Sequence, residues 1–215
     1  MNKIKSKLFA HLQNADPAHD ILHAKRVTNT AEHIARAENA DLAIVIPAAI
    51  LHDIVILPKD HPDSLRSSDL AAEKAKKILE EIDYPKEKIE PILYAIQTHS
   101  FGKGIKPETK EAQIVQDADR LDAIGAIGIA RTFSVGAKLN RPFYNENEPF
   151  AKTRELNDKQ WTLDHFYIKL LKLKSMMNTQ TAKKMAQERQ KTMVSFLDAF
   201  QRELSSTNDA VHPGQ

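Results

Sequence analysis

The feature that most constrains the fold is an apolar run, Ile-Val-Ile-Pro-Ala-Ala-Ile at residues 44–50, which ends in Leu51-His52-Asp53. A segment this apolar is stable only when buried, so it predicts a core helix over 41–53, kinked or restarted at Pro47. A buried carboxylate is costly unless it is paired or coordinated. The adjacent imidazole and carboxylate therefore predict half of a site for a divalent cation, which serves both side chains at once.

Two other stretches can complete such a site. His23 lies on a predicted helix that begins near residue 18, and it shares a face with Arg26, because residues three and four apart on a helix are neighbours. The segment 116–123 offers three carboxylates on another helix: Asp117, Asp119 and Asp122. Asp119 and Asp122 share one face, and Asp117 points elsewhere. Each stretch would bring a ligand on its own helix.

The pattern along the chain predicts an all-α protein, because apolar residues recur at helical spacing and the first hundred residues contain no glycine. We predict one domain over residues 1–204, with a metal-binding core at 18–133, C-terminal helices within 158–203 and a disordered tail at 205–215. A long loop is predicted at 134–156. The predicted helices span 3–13, 18–39, 41–53, 67–82, 86–99, a long helix from 109 that runs through Gly125 and Gly128, 162–177 and 179–203.

Composition excludes several classes of protein. Lysine and arginine total 31 against 29 acidic residues, a net charge of +2 that gives no general attraction to nucleic acid. The chain has no cysteine, so histidine and carboxylate are its only strong metal ligands. The N-terminal segment is basic but has no signal-peptide core, and no stretch is long enough to span a bilayer. We expect a soluble cytoplasmic protein that binds neither nucleic acid nor membranes.

The spacing of these residues resembles a known family. His23, the doublet His52-Asp53 and the distant Asp119 resemble the H…HD…D signature of the HD-domain superfamily, whose members are helical, metal-dependent phosphohydrolases. The resemblance covers about 18–133. Its most specific part, residues 115–131, is similar to the small bacterial branch typified by YpgQ and YedJ. The resemblance implies an HD-domain helical bundle that hydrolyses nucleoside or deoxynucleoside triphosphates to monophosphate and pyrophosphate.

The same resemblance selects the metal ligands as His23, His52, Asp53 and Asp119, with Asp117 as the alternative to Asp119. Two imidazoles and two carboxylates suit one divalent ion, with manganese implied by the branch and magnesium, iron, cobalt, zinc or nickel as alternatives. Four ligands leave an octahedral ion two positions, for water and for a phosphate oxygen, so that a water made acidic by the metal can attack the phosphate. Asp122, one turn from Asp119, would orient a ligand or that water.

Cations near these ligands are the candidates for phosphate binding. Lys59 and Arg66 follow the metal doublet in a turn-rich loop, and Arg or Lys can neutralise the charge that develops on phosphoryl oxygens. Arg26 is a further candidate, or it is structural and pairs with Asp20 or Asp122. A single ion is expected, because only two histidines lie between the doublet and Asp119; one of them, His99, would contact phosphate or act as a general acid.

Two aspects of the function stay open in the sequence. Tyr144, in the long loop, either stacks on a nucleotide base or pins the loop to the core. The ligands do not encode the leaving group, so a phosphomonoesterase or cyclic-nucleotide phosphodiesterase is an alternative, as is a module that senses nucleotides without turnover. A homodimer is one arrangement that the sequence leaves open.

Overall fold

The computed structural model describes residues 2–12, 21–57 and 61–208. The predicted phosphate contact Lys59 lies outside these residues, as do residues 209–215 of the predicted tail. Within the described part of the chain all regular structure is helical, which confirms the all-α prediction. Nine α-helices are present in these ranges: α1 (Asn2–Ala10), α2 (Ile21–Ala37), α3 (Leu42–Leu51), α4 (Ser67–Glu81), α5 (Lys86–Thr98), α6 (Lys110–Asp122), α7 (Gly125–Lys138), α8 (Asp164–Ile168) and α9 (Gln180–Asn208). None of them is both long enough and apolar enough to cross a membrane.

The contacts divide these residues into two compact units, and the first comprises residues 2–122 and 176–183. In it α2, α3, α5 and α6 pack against one another, and α4 packs on α5. The apolar run predicted to form a core helix does so: α3 buries every residue from Ile44 to Leu51. The end of α3, where the His-Asp doublet follows, is therefore held inside this bundle.

Two side chains satisfy backbone groups of α3 that the helix itself leaves without partners. Asp41 caps its first turn by accepting a hydrogen bond from the Ala43 amide at 2.8 Å. Pro47 has no amide hydrogen, so it cannot bond the Ala43 carbonyl one turn earlier. The Tyr84 hydroxyl donates to that carbonyl at 2.7 Å instead. For this reason α3 continues through Pro47 and does not restart there.

The prediction of one long helix from residue 109 through both glycines is wrong. α6 ends at Asp122, Ile124 is extended with φ −126°, and Gly125 begins α7 with φ +79°. Only glycine adopts that φ at low cost. A methyl group on Gly128 would lie 2.2 Å from the Ala123 carbonyl oxygen, so this close approach also requires glycine. The glycines therefore end one helix and start the next.

The second unit comprises residues 123–175 and 184–208. The predicted loop at 134–156 starts too early, because α7 continues to Lys138. The predicted helix at 162–177 is instead the short α8 followed by a 3-10 segment, Leu170–Met176. The last helix extends to Asn208, so the prediction of a tail from residue 205 is wrong for its first four residues. An aromatic cluster packs this unit, with ring centroids 5.0–6.4 Å from that of Phe133: Phe143, Phe166, Phe196 and Phe200.

Candidate metal centre

Five side chains, held in or directly after four helices of the first unit, form one cluster. His23 is in the first turns of α2, His52 and Asp53 follow α3, His99 follows α5, and Asp119 lies in the last turn of α6. Their nearest nitrogen and oxygen atoms form two groups with spacing suited to a metal ion, His23-His52-Asp119 and His52-Asp53-His99, each within 4.8 Å. The structure thus brings together the four residues that the sequence selected as ligands.

The shortest distance within the cluster joins the two imidazoles, since the Nε2 atoms of His23 and His52 are 3.2 Å apart. Carboxylate oxygens surround this pair. Asp53 Oδ2 lies 3.6 Å from His23 Nε2 and 3.5 Å from His52 Nε2. Asp119 Oδ1 lies 3.6 Å and 3.8 Å from the same two nitrogens. Each of the two carboxylate oxygens therefore lies within 3.8 Å of both imidazole nitrogens.

Hydrogen bonds decide which nitrogen of each imidazole faces the cluster. The Nδ1 atoms of His52 and His99 donate to the backbone carbonyls three residues earlier, at 2.8 Å and 2.6 Å. His23 Nδ1 lies 2.7 Å from Asp122 Oδ2. When the rings of His23 and His52 are neutral and donate from Nδ1, their Nε2 lone pairs point at each other and at the carboxylates of Asp53 and Asp119. Such an arrangement is repulsive for the side chains alone and fits a cation bound between them.

The charge states of these groups also suit metal binding. Burial lowers the pKa of His52 to about 4, against the opposing charge of Asp53, so the imidazole is neutral at pH 7. Burial raises the pKa of Asp53, but the surrounding histidines, His52, His23 and His99, outweigh burial and hold that pKa well below its usual range. The pKa of Asp119 is lowered in the same way, against burial, by the neighbouring histidines. Neutral imidazoles and ionised carboxylates are the forms that coordinate divalent ions.

Asp122 lies behind His23, one of the predicted ligands. Besides His23 Nδ1, its carboxylate accepts hydrogen bonds from Arg26 Nε at 2.7 Å and Arg26 Nη2 at 3.0 Å. A carboxylate on the outer nitrogen of a ligating histidine fixes its tautomer and ring orientation. Of the two roles predicted for Asp122, the geometry favours orienting a ligand. It also favours the structural alternative for Arg26, whose guanidinium neutralises Asp122; phosphate contact by Arg26 stays a prediction.

Asp117 and Asp119 separate clearly, although they are two residues apart. Asp117 has no exposed surface and accepts hydrogen bonds from the amides of Asn178 and Thr179, both at 2.8 Å, and from their side chains at 2.9 Å. It therefore holds the segment before α9, and Asp119 alone faces the histidines.

The other predicted contacts lie in different places. His99 Nε2 is 3.4 Å from Asp53 Oδ1, which makes His99 a fifth potential metal ligand in its neutral form. Sequence reasoning expected His99 to contact phosphate or act as a general acid and did not place it among the ligands. The available signal was its position at the end of α5, which matches that of His52 at the end of α3. Arg66 is exposed at the end of a 3-10 turn, and its side chain has no hydrogen bond or ion pair with the residues that the structure describes. Tyr144 lies in the second unit, where its ring meets Phe200 edge to face at 5.7 Å.

The fold and the cluster define the class of protein. A model of the HD domain matches residues 21–124, the part of the chain that contains all five donors. The chain belongs to the HD superfamily and is a metal-dependent phosphohydrolase.

The similarity to known proteins extends over nearly the whole chain. YpgQ of Bacillus subtilis is 36% identical over 94% of this chain and 92% of its own length. The crystal structure of YpgQ in complex with ADP has a TM-score of 0.71 and 32% identity over 94% of this chain and 96% of YpgQ. The Lin1889 protein of Listeria innocua has a TM-score of 0.71 at 38% identity, covering 95% and 94% of the two chains. An HD-superfamily hydrolase of Bacillus thuringiensis has a TM-score of 0.72 at 33% identity, covering 95% and 96%.

Proposed function

We propose that this protein is a nucleotide pyrophosphohydrolase that cleaves nucleoside or deoxynucleoside triphosphates to monophosphate and pyrophosphate with manganese. The observation that carries the hydrolytic part is the clustering of His23 Nε2 and His52 Nε2 with the carboxylates of Asp53 and Asp119, each of which has an oxygen within 3.8 Å of both nitrogens. The nucleotide part is supported by YpgQ, the relative crystallised with ADP.

Each residue has a distinct role in this proposal. His23, His52, Asp53 and Asp119 would hold the ion. When bound, such an ion polarises a phosphoryl oxygen and makes a coordinated water more acidic. Asp122 keeps the His23 lone pair directed at the ion. The two carboxylates are only about a quarter exposed and the two imidazoles are buried, so the ligands approach solvent from the carboxylate side, where a phosphate would enter.

Two cationic or protonatable groups would act on the substrate. Arg66 is exposed and has no ion pair among the described residues, so its guanidinium is available to neutralise charge on a phosphate during attack. Burial lowers the pKa of His99, but hydrogen bonding and charge from Asp53 outweigh burial and leave that pKa raised. Protonated on both ring nitrogens, His99 would donate a hydrogen bond from Nε2 to a phosphate oxygen beside the ion, and in this form it would not coordinate the ion.

The alternatives differ in leaving group and not in ligands. A phosphomonoesterase or a cyclic-nucleotide phosphodiesterase would use the same donor set, and product analysis separates them from a pyrophosphohydrolase. A sensing module without turnover is disfavoured, because the chain belongs to a family of hydrolases and retains a complete donor set.

The test is hydrolysis of a nucleotide panel with manganese, magnesium, cobalt, zinc, nickel or ferrous ion, with products resolved into monophosphate, pyrophosphate and phosphate. Wild type is compared with Asp53→Ala and with Asp63→Ala, which removes an exposed carboxylate from the following loop. We expect monophosphate and pyrophosphate from the wild type and Asp63→Ala, and none from Asp53→Ala at an unchanged helical circular-dichroism signal. Release of phosphate alone would favour another leaving group, and full activity in Asp53→Ala would refute the site.

A further inference from the structure

A buried carboxamide near the cluster of candidate metal ligands joins three segments of the first unit. Gln116, on α6, is 1% exposed. Its Nε2 donates to the backbone carbonyls of Thr98 and Ile105, each at 2.9 Å. Its Oε1 accepts from Asn178 Nδ2 at 3.1 Å. Both donor hydrogens and an acceptor lone pair of one amide group are therefore used, which defines its orientation.

Among these partners, the Thr98 carbonyl connects Gln116 to the candidate site, because Thr98 directly precedes His99. Thr98 is the last residue of α5, and the last four carbonyls of a helix have no partner within that helix. His99 follows directly, and its own Nδ1 donates to the Ile96 carbonyl, also in the last turn of α5. The last turn of α5 is thus bound twice, once by the His99 ring and once by Gln116.

The amide of Gln116 also determines where the last turn of α5 lies relative to α6, the helix that carries Asp119. Gln116 is one turn before Asp119 on α6, so a hydrogen bond from Gln116 to Thr98 sets the distance between the helix of Asp119 and the backbone of His99. Asn178 anchors the other side of the amide, and it also donates to the neighbouring Asp117. Because the amide is buried, water cannot replace a lost bond without cost.

We propose that Gln116 is a positioning residue for His99, holding the imidazole at the cluster through the Thr98 carbonyl. Gln116 has no hydrogen bond to the five donor side chains among the described residues and acts through the α5 terminus. A side chain that orients a catalytic group from behind is commonly worth about 10- to 100-fold in activity. The inference rests on the proposed function only where hydrolysis is measured.

The first test observes His99 directly. Histidine side-chain 1H–15N spectra are recorded with a chelator present, and the His99 signals are assigned by their loss in His99→Ala. Gln116→Met keeps the length of the side chain but removes its hydrogen-bond donors. Gln116→Glu replaces the amide nitrogen with oxygen and is used if Gln116→Met does not fold. We expect the His99 signals to shift in the folded variant and those of exposed His33 to stay. Unchanged His99 signals would overturn the proposal.

Gln113→Ala is the matched control. Gln113 lies one turn earlier on α6, and its Nε2 donates to the Pro107 carbonyl at 3.1 Å, so the variant loses the same kind of bond without reaching Thr98. It should leave both the His99 signals and kcat/KM unchanged. A His99 shift as large in Gln113→Ala as in Gln116→Met would mean that the effect is a general consequence of weakening α6.

The second test asks whether Gln116 acts through His99 in catalysis. Wild type, Gln116→Met, His99→Ala and the double variant form a cycle. Gln116→Met should lower kcat/KM about 10- to 100-fold in the wild type and less than about threefold in the His99→Ala background. Equal factors in both backgrounds would contradict the proposal. If no substrate is turned over, the proposed function fails while the spectra still decide the role of Gln116.

Discussion

Replacing Asp122 with asparagine separates the metal site from the stability of the fold. The carboxylate is 4% exposed, and it accepts bonds from His23 Nδ1 at 2.7 Å and from Arg26 at 2.7 and 3.0 Å. The substitution Asp122→Asn keeps the shape of the side chain but removes its charge, and the new amide nitrogen would face a donor, either the imidazole or the guanidinium. The His23 lone pair would then no longer be directed at the cluster by a carboxylate.

Two magnitudes follow from this geometry. Loss of a carboxylate behind a ligating histidine typically weakens metal binding about 10- to 100-fold, or about 1.4–2.7 kcal/mol. A buried hydrogen-bonded charge that loses its partner costs about 1–3 kcal/mol of folding free energy, and the lower part of that range applies because the Arg26 side chain is 34% exposed. The first effect should appear in metal affinity and the second in the stability of the metal-free protein.

The assay is calorimetric titration with manganese, together with thermal unfolding in the presence of a chelator. The control is Asp164→Asn in the second unit, where a carboxylate 1% exposed accepts from Arg154 Nη1 at 2.6 Å and Nη2 at 2.7 Å. This variant should lose stability to a similar extent and keep the wild-type manganese affinity. Wild-type affinity in folded Asp122→Asn would refute the role of Asp122 in orienting His23.

Two further predictions concern folding. Asp41→Ala removes the cap of α3 and should cost about 1 kcal/mol in urea unfolding. Because the hydrogen bond from Lys88 lowers the pKa of Asp41, its contribution is complete above about pH 4 and is lost as the pH falls through the folded-state pKa; a wild-type pH dependence in Asp41→Asn would contradict this. Gly128→Ala places a methyl group 2.2 Å from the Ala123 carbonyl oxygen and should cost about 1–3 kcal/mol. In the control, Gly102→Ala, the new group meets two side-chain atoms, Leu65 Cδ2 at 3.2 Å and Ser100 Oγ at 3.9 Å. An equal loss of thermal stability in both variants would mean that the backbone contact of Gly128 is not the cause.

Most helices could be predicted because their signals are local. Apolar spacing and the Asp41 cap located α3 to within two residues, and the buried run ending at Leu51 placed His52-Asp53 in the interior. The break between α6 and α7 was missed, because a glycine can lie within a helix or adopt a positive φ that ends one. The sequence does not show which of these conformations Gly125 adopts; the structure does. The segment after residue 138 was poorly predicted, since its order depends on contacts such as that of Arg154 with Asp164.

The sequence by itself determined the all-α class and the identity of the histidines and carboxylates available for a metal, because these follow from periodicity and composition. The family followed from the resemblance of its H…HD…D motif to known proteins. Only the tertiary structure decided which of them meet. Asp119 faces the histidines while Asp117 holds Asn178 and Thr179, and His99 joins the cluster as a fifth donor. Asp122 reaches His23 across 99 positions in the sequence. Such pairings depend on how helices pack, and helical periodicity specifies a face but not its partner.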